Sequence, residues 1–393
     1  MKSRACIVGV GSSELGKVPH KDTFHLALEA AGAALADAQV SRKQIDGLLT
    51  FTPGRMNLKR FHIQLAEHLG IQARFLCDSM SVGGASSGAA LQLASWAVTN
   101  GHCKYVLIAA GESHLSMLGR SNAVERFAGA GAHNVDYEVP YGASLPSYYG
   151  LVTRRHMHEF GTTSEQLAAI AVACRKHASM NPVAMKRDLI TVEDVMQSRM
   201  IADPLHLLDC CLIGDGGGAF VVTTEERARD LPRKAVSILG TGQAHSFYHM
   251  GHLASAEKFD LVNTVGRFAA ENAFADAGVK PDDIDVLELY DSFTITVLVQ
   301  LEDFGFCKKG EGGPLAASGA LELGGRYPTN THGGCLSAGQ TGVINANMFH
   351  VIEAVNQLRG KAGPRQVADA KLAFVSSCSA VLSNFSVAIL GEA

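Results

Sequence analysis

The 393-residue sequence has no long apolar run, no basic stripe, no paired-cysteine motif and no nucleotide-binding glycine pattern. Each absence removes a class of function. Apolar stretches such as Tyr105 to Ala110 break within a few residues, far short of the ~20 needed to cross a bilayer. No membrane span is expected. Lys and Arg total 34 against 38 Asp and Glu, for a net charge of -4 spread along the chain. That balance argues against a nucleic-acid partner held by phosphate contacts.

Nine cysteines, at 6, 77, 103, 174, 210, 211, 307, 335 and 378, include no Cys-x-x-Cys pair. An odd, scattered set reads as reduced thiols, most of them small buried residues, with neither disulfides nor a metal site. No Walker or dinucleotide fingerprint occurs, and Gly214-Asp215-Gly216-Gly217-Gly218 reads as a turn before a strand. Met1 to Gly11 carries two cations and a short apolar run ending in glycines. It reads as a first strand and turn rather than a secretion signal, and the expected location is the cytoplasm.

What the sequence does contain is a repeat. Residues 24–49 read as an amphipathic helix, a turn and a strand, and residues 263–288 repeat the pattern. Asp37 matches Asp276 and Asp46 matches Asp285 at a common offset of 239 residues (37 to 276, 46 to 285). Each copy is followed by a Gly/Ser-rich turn expected to lead into an apolar helix, Gly83 to Leu91 and Gly333 to Gly339, and then by a strand, Tyr105 to Ala110 and Lys371 to Val375. Helices alternating with short β-rich runs predict two stacked copies of one α/β unit. The length fits two core units. The N-terminal half is expected over residues 1–230, with an insertion over the cleft at about 116–213, and the C-terminal half over 231–393.

With these turns in view the chain resembles the thiolase superfamily, and more closely its sterol-carrier-protein-type and lipid-transfer-protein-type branch. The stretch Arg155-His156-Met157-His158-Glu159-Phe160-Gly161-Thr162-Thr163-Ser164-Glu165-Gln166-Leu167 carries the resemblance most specifically. Asn181-Pro182, Ser198-Arg199, Pro204-Leu205, Leu208-Asp209-Cys210-Cys211 and Asp215-Gly216 extend it. The resemblance implies an α/β fold of thiolase-like duplicated five-layer αβαβα type and a homodimer. It also implies a coenzyme A thioester as substrate, with no other bound cofactor.

The family's functional positions transfer one by one. Its nucleophilic cysteine, which a helix N-terminus would hold as thiolate, falls at Ala85, and an alanine forms no acyl-enzyme. Ser86 and Ser87 follow as capping and packing residues, with Ser86 also a substrate-binding candidate; Cys77 carries little weight as a nucleophile. The second motif reads Tyr290-Asp291-Ser292-Phe293. Tyr290 is the leading candidate as general acid or base, against a reading as a buried, backbone-bonded tyrosine, and Asp291 either holds a loop or acts on substrate. The third motif reads Asn330-Thr331-His332-Gly333-Gly334, then Gly339-Gln340. Asn330, Gly333 and Gly334 are substrate-binding candidates. Gln340 stands where the family has a histidine and can donate to an oxyanion without taking a proton. His332 offers a displaced imidazole or a structural one. The fourth motif places Cys378 after a strand, in Ser376-Ser377-Cys378-Ser379-Ala380, as an acid/base or a buried thiol.

Three functions stay open on this reading. One is an acyltransferase-related enzyme working at a carbon–carbon bond near the thioester carbonyl without a covalent acyl-enzyme. A second is a retro-aldolase of a β-hydroxyacyl-coenzyme A with a small OB-fold or zinc-ribbon partner. The third is a non-catalytic acyl-coenzyme A-binding subunit.

Overall fold

Glycines in the leading strand of each half set how closely a helix can lie on the sheet. The computed structural model describes residues 4–51, 60–119, 136, 138–246, 260–339, 341 and 347–392. In β1 (Ala5–Ser12) a Cβ on Gly9 would stand 2.3 Å from Ala34 O of helix α1 (Thr23–Ala38), and one on Gly11 2.3 Å from Ala34 N. The second half repeats the device. In β8 (Val236–His245) a Cβ on Gly240 would meet Ala273 O at 2.1 Å, and one on Gly242 would meet Ala269 O at 2.0 Å, both in the helix Gly266–Ala277. Glycine on the strand facing alanine on the helix allows direct backbone-to-helix packing.

The repeated aspartates have equivalent jobs. Asp37 Oδ2 accepts from Val10 N at 3.1 Å, and Asp276 Oδ2 accepts from Thr241 N at 3.2 Å. Asp46 takes the amides of Lys104 and Tyr105, where β4 (Val106–Glu112) begins; Asp285 takes those of Lys371 and Leu372, at the start of β10 (Leu372–Ser379). The sequence repeat is thus a pair of carboxylates that fasten a helix to a bulged strand and open a neighbouring strand.

The other strands are β2 (Gly47–Phe51), β3 (Leu76–Met80), β5 (Met200–Ala202), β6 (Leu205–His206), β7 (Gly216–Thr224), β9 (Val286–Glu288) and β11 (Asn384–Glu392). Nine of the eleven strands form a sheet in the order β3-β2-β4-β7-β1-β8-β11-β10-β9, while β5 and β6 make a separate ribbon. The two halves enter this order as mirror sequences, with the bridge from Leu287 to Thr329 extending the second. The two expected copies of one α/β unit are joined at their leading strands: β1 and β8 pair antiparallel through Cys6–Ser237 and Ile7–Val236, so hydrogen bonding is continuous across the join. The layering follows from the helices: α2 (Ser86–Thr99) and the helix Met348–Leu358 each pack on strands of both halves, whereas α1 and Gly266–Ala277 cover outer faces.

Three local expectations change. Gly216, Gly217 and Gly218 lie inside β7, because a Cβ on Gly217 would stand 2.6 Å from Leu26 O and 2.7 Å from Ala110 O. Cys378 lies within β10, paired with Phe385, and the turn comes after it, with Ala380, Val381 and Leu382 all at positive φ. The second Gly/Ser turn is one wide helical turn over Gly334–Ala338. It leads directly into no helix among the described residues.

The inserted segment packs on the C-terminal half. Helix α3 (Leu145–Phe160) ends at Gly161 in the left-handed region, and α4 (Ser164–Ser179) begins with a Thr163–Gln166 capping box. Both helices rest on the helix Thr294–Asp303, where fully buried His156 meets fully buried Glu302 at 2.9 Å.

Candidate active site

The site is assembled where β9 ends. Asn330, at φ +53°, works as a detached piece of β-ladder: its Oδ1 accepts from Leu289 N at 2.7 Å and its Nδ2 donates to Leu289 O at 2.8 Å. Both polar atoms of this substrate-binding candidate are therefore engaged in holding the strand end. The next residue, Tyr290, is set just as firmly. Tyr290 N donates to Ser376 Oγ at 3.3 Å, Tyr290 O accepts from Gln300 Nε2 at 2.7 Å, and Ser376 Oγ donates to Gln300 Oε1 at 2.5 Å.

Asp291, with no exposed surface, accepts from the amides of Cys335 at 2.8 Å and Leu336 at 3.1 Å, and meets His350 Nε2 at 3.2 Å. Gly334 makes this possible. Its φ is +61°, and a Cβ there would stand 2.0 Å from Asp291 Oδ2. Gly333, at φ +107°, likewise passes Ala178, whose Cβ would be 2.6 Å from an added one. These two glycines shape the floor of the site.

His332 is 6% exposed, and its ring lies edge-on to that of His350 with centroids 4.7 Å apart. His332 Nδ1 stands 3.0 Å from Glu288 Oε2, off the hydrogen-bond line, so each of these two atoms lacks a hydrogen-bond partner. Burial holds the imidazole below its ordinary range, while the Glu353 and Asp291 carboxylates oppose that shift. Burial drives the Glu288 carboxyl well upward.

The Tyr290 phenol is enclosed among Tyr149, Cys335, Cys211 and Cys378, and desolvation pushes it well above the usual tyrosine value. A phenol that resists ionisation keeps its proton, so it can donate a hydrogen bond but is not available as a base. Tyr149 reaches this cluster from the insertion and stacks on Phe293 at 4.4 Å. Cys378 shares the same apolar enclosure; burial pushes its thiol up, and its Sγ points at Ser379 O, 3.9 Å away.

The first Gly/Ser turn lies across β10. Alternation along the strand sends Ser377 and Ser379 toward that turn, opposite to Ser376 and Cys378. Ser87 Oγ meets Ser377 Oγ at 3.1 Å, and Ser379 Oγ donates to Val82 O at 2.8 Å. Ser86 Oγ donates to Gly83 O at 2.7 Å and accepts from Val82 N at 2.9 Å, the bonding of a turn-closing residue. Ala85 is buried immediately before α2, its carbonyl accepting from Ser386 Oγ at 2.7 Å. Gln340 lies outside the described residues.

Sequence reading missed Glu288, His350, Glu353, Gln300 and Tyr149. Glu288 stood two residues before Tyr290, and His350 and Glu353 share a helix face at a spacing of three, the signal that could have found them. Donor atoms of Glu288, His332 and His350 lie within 4.8 Å of one another, as do those of Asp291, Cys335 and His350. Thr331 and the 335–336 amides already engage the two carboxylates. Glu288 Oε2 and His332 Nδ1 stay outside those bonds.

A duplicated α/β unit with central helices shared by both halves, and a buried polar cluster at the end of a second-half strand, describes the thiolase fold class. Residues 6–226 match the thiolase N-terminal domain and residues 234–392 the thiolase C-terminal domain-like family. The chain belongs to the thiolase superfamily, in its sterol-carrier-protein-type branch. It is 36% identical over 368 residues to a steroid side-chain-cleaving aldolase of Thermomonospora curvata, covering 91% of this chain and 90% of that one. To a 17-hydroxy-3-oxo-4-pregnene-20-carboxyl-CoA lyase of Mycobacterium tuberculosis it is 37% identical over 372 residues, 92% of each. Among solved structures, an Ltp2-ChsH2(DUF35) aldolase superposes with a TM-score of 0.86 at 36% identity, over 99% of this chain and 98% of that one.

Proposed function

We propose that this enzyme cleaves the carbon–carbon bond beside the thioester carbonyl of a β-hydroxyacyl-coenzyme A by a retro-aldol route, without a covalent acyl-enzyme. One observation carries the reading: Ala85 stands at the start of α2, while the titratable cluster is built around Tyr290 and His332. His332 takes the proton of the β-hydroxyl. The Cα–Cβ bond breaks, its electrons pass to the thioester enolate, and a carbonyl forms on the departing fragment. Tyr290 donates a hydrogen bond to developing oxyanion charge, and a proton returned to Cα completes the shorter acyl-coenzyme A. Asp291 acts by holding the 335–336 turn and His350. Asn330, Gly333, Gly334 and Ser86 shape the pocket.

Acyl transfer would need a thiolate, and burial raises the Cys378 thiol instead of lowering it. A binding-only subunit would have no use for so costly a cluster. Burying Glu288, Asp291, His332 and His350 together costs on the order of several kcal/mol, and such groups gather where chemistry is done.

Coenzyme A enters as part of the substrate, with no other cofactor. A homodimer is supported by the outer edge of β3, which no strand among the described residues pairs, and by the half-exposed Phe75 and Trp96 beside it. A small DUF35-type partner is supported by the composition of the aldolase complex that this chain resembles. No helix among the described residues is long and apolar enough to cross a membrane, and nine cysteines that form no disulfide support a reducing, cytoplasmic location.

The test incubates the protein, with and without a DUF35-family partner, with 17-hydroxy-3-oxo-4-pregnene-20-carboxyl-coenzyme A and with β-ketoacyl-coenzyme A pools, followed by mass analysis. A shortened acyl-coenzyme A, a ketone and unmodified protein are expected. An acyl adduct on Cys378 or Cys77 would overturn the reading.

A further inference from the structure

One face of α4 lies along the loop that bears His332. Cys174 Sγ reaches Asp291 Oδ2 at 3.9 Å, Arg175 Nε donates to Ser337 Oγ at 2.8 Å, and His177 Nδ1 donates to Thr329 O at 3.0 Å and to Asn330 O at 3.3 Å. These positions recur at helical spacing, so a single helix face serves the whole loop. Buried Asn181, in the turn just past the helix, completes the row: its Nδ2 donates to His332 O at 2.8 Å. Its Oδ1 accepts from Val183 N at 3.3 Å. These neighbours fix which end of the amide is which, because a backbone N–H only donates and a carbonyl only accepts. The peptide between His332 and Gly333 is thereby held at both poles. Asn181 takes its carbonyl, and its N–H, on Gly333, donates to Asn330 O at 2.8 Å. Gly333 is at φ +107°. Glycine tolerates either orientation of that peptide, so the two hydrogen bonds set the plane from which the His332 side chain hangs.

We propose that Asn181 is the positioning residue of His332, acting through the main chain rather than on the reacting atoms. The inference rests on the reading of His332 as the base. A base must stand within hydrogen-bond reach of the proton it takes, and a displacement of about 1 Å can cost about 100-fold in rate. The Glu288 carboxyl does not supply that alignment, because its Oε2 stands off the hydrogen-bond line of His332 Nδ1. Asn181 supplies it from the other side of the residue, at the carbonyl. The Asn181-Pro182 pair then has a division of labour. Pro182 presets the turn, in which Ala184 N bonds back to Asn181 O at 3.1 Å, and the asparagine amide spans from that turn to the base. The insertion contributes to the reaction in this way without placing a group of its own on the β-hydroxyl.

The experiment compares wild type with Asn181→Asp, Asn181→Ala and His332→Gln on the β-hydroxyacyl-coenzyme A, with the DUF35-family partner present and with circular dichroism and melting as folding controls. Aspartate serves such a turn as asparagine does, so Asn181→Asp keeps the bond from Val183 N and loses only the donor to His332 O. Its kcat should fall about 10- to 100-fold, with KM within about twofold of wild type. As pH falls the introduced carboxyl takes a proton and can donate again. The kcat ratio of Asn181→Asp to Asn181→Ala should therefore rise toward acid pH. A flat ratio, as expected of a residue that merely stabilises the turn, would overturn the proposal. Wild-type kcat in Asn181→Asp beside an inactive His332→Gln would overturn the positioning role alone. Full activity in His332→Gln would overturn the base reading itself. Should Asn181→Asp fail to fold, wild-type kcat in Asn181→Ala would also overturn the proposal.

Discussion

At the scale of single residues, Tyr290 and Gly334 separate chemistry from architecture. The Tyr290 backbone is fixed by Ser376 and Gln300, so Tyr290→Phe removes a hydroxyl without releasing the loop. Turnover of the β-hydroxyacyl-coenzyme A should fall about 10²- to 10³-fold, with the melting temperature nearly unchanged in a thermal scan. Gly334→Ala makes the opposite prediction. The methyl would meet Asp291 Oδ2 at 2.0 Å from a backbone already at φ +61°, costing about 2–4 kcal/mol. Urea unfolding should show that loss, and activity should fall with it because Asp291 must move.

At the scale of elements, the repeat makes a symmetric prediction. Asp46 and Asp285 each receive two strand-opening amides in equivalent places, so neither should matter more than the other. Replacing either with alanine strands two backbone donors and should cost about 1–3 kcal/mol, with the two losses agreeing within about 1 kcal/mol. Chemical denaturation of both variants checks this. A large disparity would mean that one aspartate serves something besides its strand.

At the scale of the whole molecule, buried thiols set the alkaline limit. Burial pushes Cys6 and Cys210 up to about 12, against 9 for the ordinary thiol. Below pH 9 both states hold these protons and stability is unaffected. Above it the unfolded chain releases protons that the folded chain retains, so stability falls by up to ~1.4 kcal/mol per pH unit for each such group. Melting temperatures should therefore drop steeply between pH 9 and 11, and a Cys6→Ala variant should show a shallower drop. Because the proposed retro-aldol route uses no metal, dialysis against a chelator should leave kcat unchanged, checked alongside metal analysis of the dialysed protein.

The sequence by itself determined the duplication, the helix and strand order, the family resemblance and the alanine before the central helix. Those features are local. They depend on periodicity, on capping residues such as Thr163 and Gln166, and on small residues wherever a strand and a helix must touch. Even so, Cys378 was placed after its strand and the glycines at 216–218 in a turn, because closeness to Phe385, Leu26 and Ala110 is invisible along the chain. Only the tertiary structure decided that hydrogen bonding continues from β1 to β8. It alone brought Glu288, His332, His350 and Asp291, spread over 63 residues (288 to 350, both ends counted), into one buried network. Proton affinity depends on what surrounds a group in space, and here burial beside charged neighbours drives Glu288 upward and His332 downward. The residue types were legible in the sequence; their chemistry was set by the fold.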